Sequence, residues 1–197
     1  MLDKKTYFIR QHTKFIRSSK TYDIIDPDTQ EHVAIAQEKI SMFMVFLRLL
    51  INKMLLPMRV NVYAGNTLKD NNNILFSIRK GVTFLSSKVV VYNENNEMIG
   101  WFKTKAFSFK IAIRVFDRSD NEVALIKGDW KGWNFKFTDK EDNEIGLVTK
   151  KWAGIGKELF TQSDNYVISL TGEPNHEQAT LLLAAGLSID LIYKSGK

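Results

Sequence analysis

The stretch QATLLLAAGLSIDLIYK (178–194) limits the fold more than any other part of the chain. Its core, residues 179–193, is 15 residues long, and its Leu, Ile and Ala side chains occupy every face of a helix. A helix that is apolar all round is enclosed, by lipid or by protein. At 1.5 Å per residue this one is roughly 22 Å long, whereas a bilayer core needs about 20 residues and 30 Å. Asp190 at mid-membrane would add roughly 2.5–3.5 kcal/mol. Enclosure by protein fits better, because β-strands of about seven residues build a wall about 23 Å deep. The sequence therefore predicts a C-terminal helix at about 177–193 threaded through a closed β-barrel. Ala184, Ala185 and Gly186 would let the wall approach closely. Asp190 would be a buried polar group near one mouth, needing a hydrogen-bonding or basic partner.

The rest of the chain supplies strands for such a wall. KVVVYNENNEMIGWFK (88–103), IAIRVFDRSDNEVALIKG (111–128) and FKFTDKEDNEIGLVTKK (135–151) each read as strand, polar turn, strand. Their turns align on Asn96-Glu97, Asn121-Glu122 and Asn143-Glu144, at spacings of 25 and 22 residues. Asn and Asp suit these turns because they tolerate left-handed backbone and bond nearby amides. YDIIDPDTQEHVAIAQEK (22–39) and RVNVYAG…NNNILFSIRKG (59–81) read as two further hairpins. Five hairpins give ten strands, and NYVISL (165–170) gives an eleventh. Short strands at regular spacing predict a mainly β, closed-barrel fold, with residues 1–197 as a single domain.

A second apolar segment, ISMFMVFLRLLINKMLLPM (40–58), predicts a helix at about 40–56, ended by Pro57. Its polar positions form a narrow stripe of Ser41, Arg48 and Asn52, with Lys53 alongside. Ten Leu, Ile, Phe and Val residues offer roughly −3 to −6 kcal/mol for insertion, and Arg48 with Lys53 would cost up to about 5–7. The segment does not span a bilayer. Two dispositions stay open: packed across a barrel end, or lying in the headgroup layer with Arg48 and Lys53 reaching phosphate.

No catalytic motif appears. His12, His32 and His176 lack metal-ligand spacing, and there is no nucleophile elbow. AGIGKELFT (153–161) has Lys151 and Glu158 where a phosphate-binding loop needs Gly and Ser or Thr. The acidic clusters Asp117, Asp120, Glu122 and Asp139, Glu141, Asp142 lack EF-hand spacing and read as solvated hairpin tips. A non-enzymatic protein with no cofactor and no metal site is expected. The chain has no cysteine and its N-terminal residues have no signal-like apolar run, so a cytoplasmic location is expected. A net charge of +6 favours anionic partners. Nucleic acid is disfavoured: Trp133, Phe135 and Phe137 alternate with polar residues as a half-buried strand does, and no reading motif is present.

The order IKGDWKGWNFKF, KKWAGIGKELFTQSDNYVIS and LLLAAGLSIDLIYK, with YDIIDPDTQEHVAIAQEK upstream, resembles the phospholipid scramblase and LURP-one-related proteins. That resemblance implies the Tubby C-terminal-like fold, a 12-stranded barrel around a central hydrophobic helix. For function it implies phospholipid. The cysteine-rich palmitoylation segment of the eukaryotic scramblases has no counterpart in this sequence. QSDNYVISLTGEPNHEQ keeps Asp164 and Asn165, then Glu173 and Glu177, and is poorer in acids than the calcium segment of those proteins.

The expected function is phospholipid binding at an anionic membrane surface, reached peripherally. Lys14, Arg17, Arg48 and Lys53 are the candidate lipid contacts. Two alternatives are scramblase activity proper, and a protein-interaction module whose partner binds through the helix at 40–56.

Overall fold

The computed structural model describes residues 2, 4–12, 19–52, 55–66, 73–82, 86–105, 110–129, 132–151 and 165–193. Twelve strands close into a barrel in chain order, each antiparallel to its neighbours, with the first paired to the last. They are β1 (Thr6–Gln11), β2 (Thr21–Ile25), β3 (His32–Glu38), β4 (Met58–Ala64), β5 (Ile74–Lys80) and β6 (Ser86–Asn93). The circuit continues with β7 (Met98–Lys105), β8 (Lys110–Asp117), β9 (Glu122–Asp129), β10 (Asn134–Thr138), β11 (Glu144–Thr149) and β12 (Tyr166–Leu170). The five expected hairpins are β2–β3, β4–β5, β6–β7, β8–β9 and β10–β11. The strand that the pattern reading did not single out is β1.

The repeated turns are built alike, but one position away from the Asn-Glu alignment in two of the three. Asn93, Asp117 and Asp139 each accept backbone N–H bonds at their Oδ1 from the residues two and four places on, at 2.8–3.1 Å. Asn96, Asp120 and Asp142 then take the left-handed backbone, each at φ 62°. Asn96 is thus the counterpart of Asp120 and Asp142, not of Asn121 and Asn143. Either Asx residue can fill the left-handed position, so a repeated dipeptide is a poor guide to it. A register shift follows within each hairpin, as expected where a left-handed residue makes a bulge.

The C-terminal helix α2 (His176–Ser188) runs through the barrel and widens into a π-helical turn over Ile189–Tyr193. Asn175 and Gln178 form a reciprocal cap that fixes its start. Residues 179–188 are all buried. Inward residues such as Val60, Val62, Phe76, Ile78, Ile113 and Phe135 pack with α2 in one core. A methyl group placed on Gly186 would lie 2.8 Å from Ile168 Cδ1, so the wall does approach at the small residues. Trp133, Phe135 and Phe137 are buried, while Asn134 and Lys136 face solvent. On the wall from β12 through β4 several outward positions are buried as well, including Phe8, Ile35, Tyr63 and Val167.

Because the strands alternate in direction, the barrel has two unlike ends. The hairpin tips at 26–31, 94–97, 118–121 and 139–143 share one end with the start of α2, where Arg118 pairs with Glu177 at 2.7 Å. The other end receives the π-helical turn and carries a short helix, α1 (Met42–Leu50), between β3 and β4. This helix is shorter than the expected 40–56. Ser41 caps its start, and Ile51 is already extended at φ −123°, ψ 139°, so the helix ends before Pro57 can act.

Candidate functional site

The α1 end of the barrel concentrates the unusual features of the molecule. An ordinary surface helix turns its apolar stripe inward. In α1 the order is reversed. Met42, Phe43, Phe46, Leu49 and Leu50 stand at the i, i+1, i+4, i+7, i+8 spacing of a single face, and they are 58–88% exposed. No residue of α1 is buried. Ile51 and Val82 add to the same end, so among the described residues seven of the eight exposed large hydrophobic side chains lie there; the eighth, Met98, is at the opposite end.

The inward side of α1 holds its one charge. Arg48 Nη2 donates to Glu38 Oε1 at 2.6 Å, and the Glu38 side chain is fully buried. The backbone N–H of Lys20 donates to the other carboxylate oxygen of Glu38 at 3.3 Å. The narrow polar stripe read from the sequence is thus, at Arg48, a tether to the barrel and not a solvent-facing edge. This leaves the outward face of α1 entirely apolar.

At the same mouth Lys20 and Tyr22 both bond the buried Asp190. Lys20 Nζ donates to Asp190 Oδ2 at 3.0 Å and to the Asp190 backbone carbonyl at 3.1 Å. The Tyr22 hydroxyl donates to the same carboxylate oxygen at 2.5 Å. Asp190 is fully buried, and the π-helical turn brings it to this mouth. Burial first, and then the Asp190 charge, hold the hydroxyls of Tyr22 and Tyr166 well above the usual tyrosine range. Lys80, on the inner side of β5, donates to the Leu56 carbonyl at 2.7 Å, and burial lowers its pKa to about 8.

Lys14, Arg17 and Lys53, expected as lipid contacts together with Arg48, lie outside the described residues. Two histidines that no sequence spacing linked do meet in space. His12 Nε2 lies 2.7 Å from Asp23 Oδ1, and His32 Nδ1 lies 3.9 Å from the same oxygen. Arg10 donates twice to Asp23 Oδ2, at 2.7 and 3.1 Å. Burial raises the Asp23 pKa, but the bonds from His12 and Arg10 outweigh it and hold the carboxyl below its usual range. The cluster joins β1, β2 and β3 on the barrel wall, with Asp23 2% exposed. Among the described residues no group of three or more His, Asp or Glu side chains is arranged to hold a metal ion. A cleft of about 320 Å³ opens at the far end beside the start of α2, lined by Leu2, Lys5, Pro174 and His176 among others. One of its basic residues, Lys4, is paired with Asp26 at 2.8 Å.

Among the described residues no helix is long and apolar enough to cross a membrane. The family model described as Scramblase matches residues 22–195. Neither a curated protein nor a solved structure gives a significant match.

Proposed function

From the premise that this chain belongs to the scramblase family, and so has a phospholipid-related function, we propose that it is a non-enzymatic barrel that binds acidic phospholipid at the cytoplasmic surface of a membrane. The observation that carries this reading is the outward face of α1, five large apolar side chains held in water on a helix tethered from behind. Such a face is the working part of an interfacial helix. Five side chains entering the headgroup boundary and only half desolvated contribute about 1 kcal/mol each. Lys14, Arg17 and Lys53 would add about 1 kcal/mol apiece near acidic lipid. Arg48 keeps a different role, holding α1 to Glu38.

Lipid transit through the bore is disfavoured, because α2 and the inward side chains fill it. The direct test is Phe43→Ser/Phe46→Ser/Leu50→Ser in co-sedimentation with phosphatidylcholine vesicles containing phosphatidylserine. Losing three contacts of about 1 kcal/mol weakens binding by about 100-fold, with the melting temperature little changed because all three side chains are exposed. Undiminished binding by the folded variant would refute the reading. Loss of a lipid-independent dimer in its place would make α1 a protein-docking helix.

A further inference from the structure

We infer that the barrel docks end-on, with its axis along the bilayer normal and its α1 end facing acidic lipid. This rests on the membrane-binding reading and adds the orientation and the full docking surface.

The charge of the connections is divided between the two ends. Among the described residues, those at the α1 end contain five Lys or Arg and no Asp or Glu. Those at the opposite end contain ten Asp or Glu and four Lys or Arg, Lys4 and Lys5 of the N-terminal segment among them. Among the described residues of these connections, Phe43 and Phe46 stand exposed at the α1 end.

Two acids near the α1 end neutralise two of its five cations and leave Lys39, Lys150 and Lys151 to set the sign of this end. Glu38 and Asp190 are buried against Arg48 and Lys20. Asp129 is exposed at this end, one acid beside exposed Lys39 and Lys151. Aromatic and aliphatic side chains among cations suit the boundary of an acidic bilayer.

Geometry keeps the acidic end from opposing this contact. A seven-residue strand tilted by roughly 40° separates the ends by roughly 18 Å, more than two Debye lengths at physiological salt. The separated charges also orient the barrel before contact, since an acidic surface attracts one end and repels the other.

The absence of native cysteine allows a fluorophore to be placed at one site at a time. Val82→Cys at the α1 end, Lys127→Cys on the wall and Lys140→Cys at the far end are all exposed positions. With vesicles of phosphatidylserine and brominated phosphatidylcholine, end-on docking quenches the label at 82 and leaves those at 127 and 140 unchanged. Lys39→Ala/Lys151→Ala, at exposed positions, weakens binding by about 25-fold, while Lys127→Ala changes it less than twofold.

Vesicle binding with quenching at 127, or equally at all three sites, would overturn the orientation and leave the membrane-binding reading intact. Failure of the cysteine-free protein to bind any vesicle would remove both. A lipid-free dimer that shields the label at 82 would make this end a protein interface and overturn the proposal.

Discussion

Lys20→Met tests whether the mouth beneath α1 is held by a buried ion pair. The Asp190 side chain has no exposure, and that of Lys20 has 17%. The substitution keeps most of the aliphatic stem and removes an ammonium that bonds both the carboxylate, at 3.0 Å, and the carbonyl of the same residue, at 3.1 Å. Removing one partner of a buried pair costs about 3–5 kcal/mol, since the remaining charge stays out of water. The residual exposure of Lys20 places the loss near the lower end, about 3 kcal/mol. In urea, with a slope of about 2–3 kcal/mol per molar, the midpoint falls by about 1–1.5 M. The assay is urea denaturation followed by circular dichroism and tryptophan fluorescence. The double variant Lys20→Met/Asp190→Leu removes both charges and recovers most of the loss. An unchanged midpoint for Lys20→Met would show that water, not the lysine, solvates Asp190. A double variant as unstable as the single one would show that packing, and not charge, was lost.

Other consequences are equally open to measurement. Arg48→Glu sets a second carboxylate against buried Glu38 and costs about 3 kcal/mol, with faster proteolysis around α1; the swap Arg48→Glu/Glu38→Arg restores protection. Gly100→Ala meets the Phe116 carbonyl and both Leu181 methyl groups, the latter at 2.8 Å, and lowers stability by about 3 kcal/mol. Gly186→Ala meets only side chains, the nearest being the flexible end of Ile168, and gains helix propensity, so its midpoint stays within about 1 kcal/mol of the parent. Tyr22 and Tyr166 keep their protons in the fold at pH values where the unfolded chain has released them. Their contribution is complete below about pH 10 and falls by about 1.4 kcal/mol per pH unit per tyrosine as pH rises toward the folded values. Urea midpoints for Tyr166→Phe between pH 9 and 11.5 show a shallower alkaline decline than the parent; equal declines would contradict the burial of that hydroxyl.

The barrel was legible because two independent signals agreed. Alternation with Asx turns gave the hairpins, and an all-apolar helix too short for a bilayer required an enclosing wall. β1 escaped notice because Tyr7, Phe8 and Ile9 are all buried, so its apolar residues form a run and not an alternation. The inward turn of Arg48 was hidden for a different reason. Its partner, Glu38, lies on a strand ten residues earlier, and helical periodicity says nothing about which stripe faces the protein. Nor does any sequence spacing link His12, Asp23 and His32, which β-pairing across three strands brings together. The axial division of charge left a signal that was readable in principle. Basic residues are scattered along the chain, but summing every second connection separates them from the acids.

The most direct test of membrane docking is flotation of the purified protein with phosphatidylcholine vesicles, with and without phosphatidylserine, at low and high salt. Docking through an apolar helix among cations predicts strong binding to the acidic vesicles and little to the neutral ones. It also predicts that salt weakens but does not abolish binding, because the α1 contacts are not screened. Equal binding to both compositions, or none to either, would contradict it.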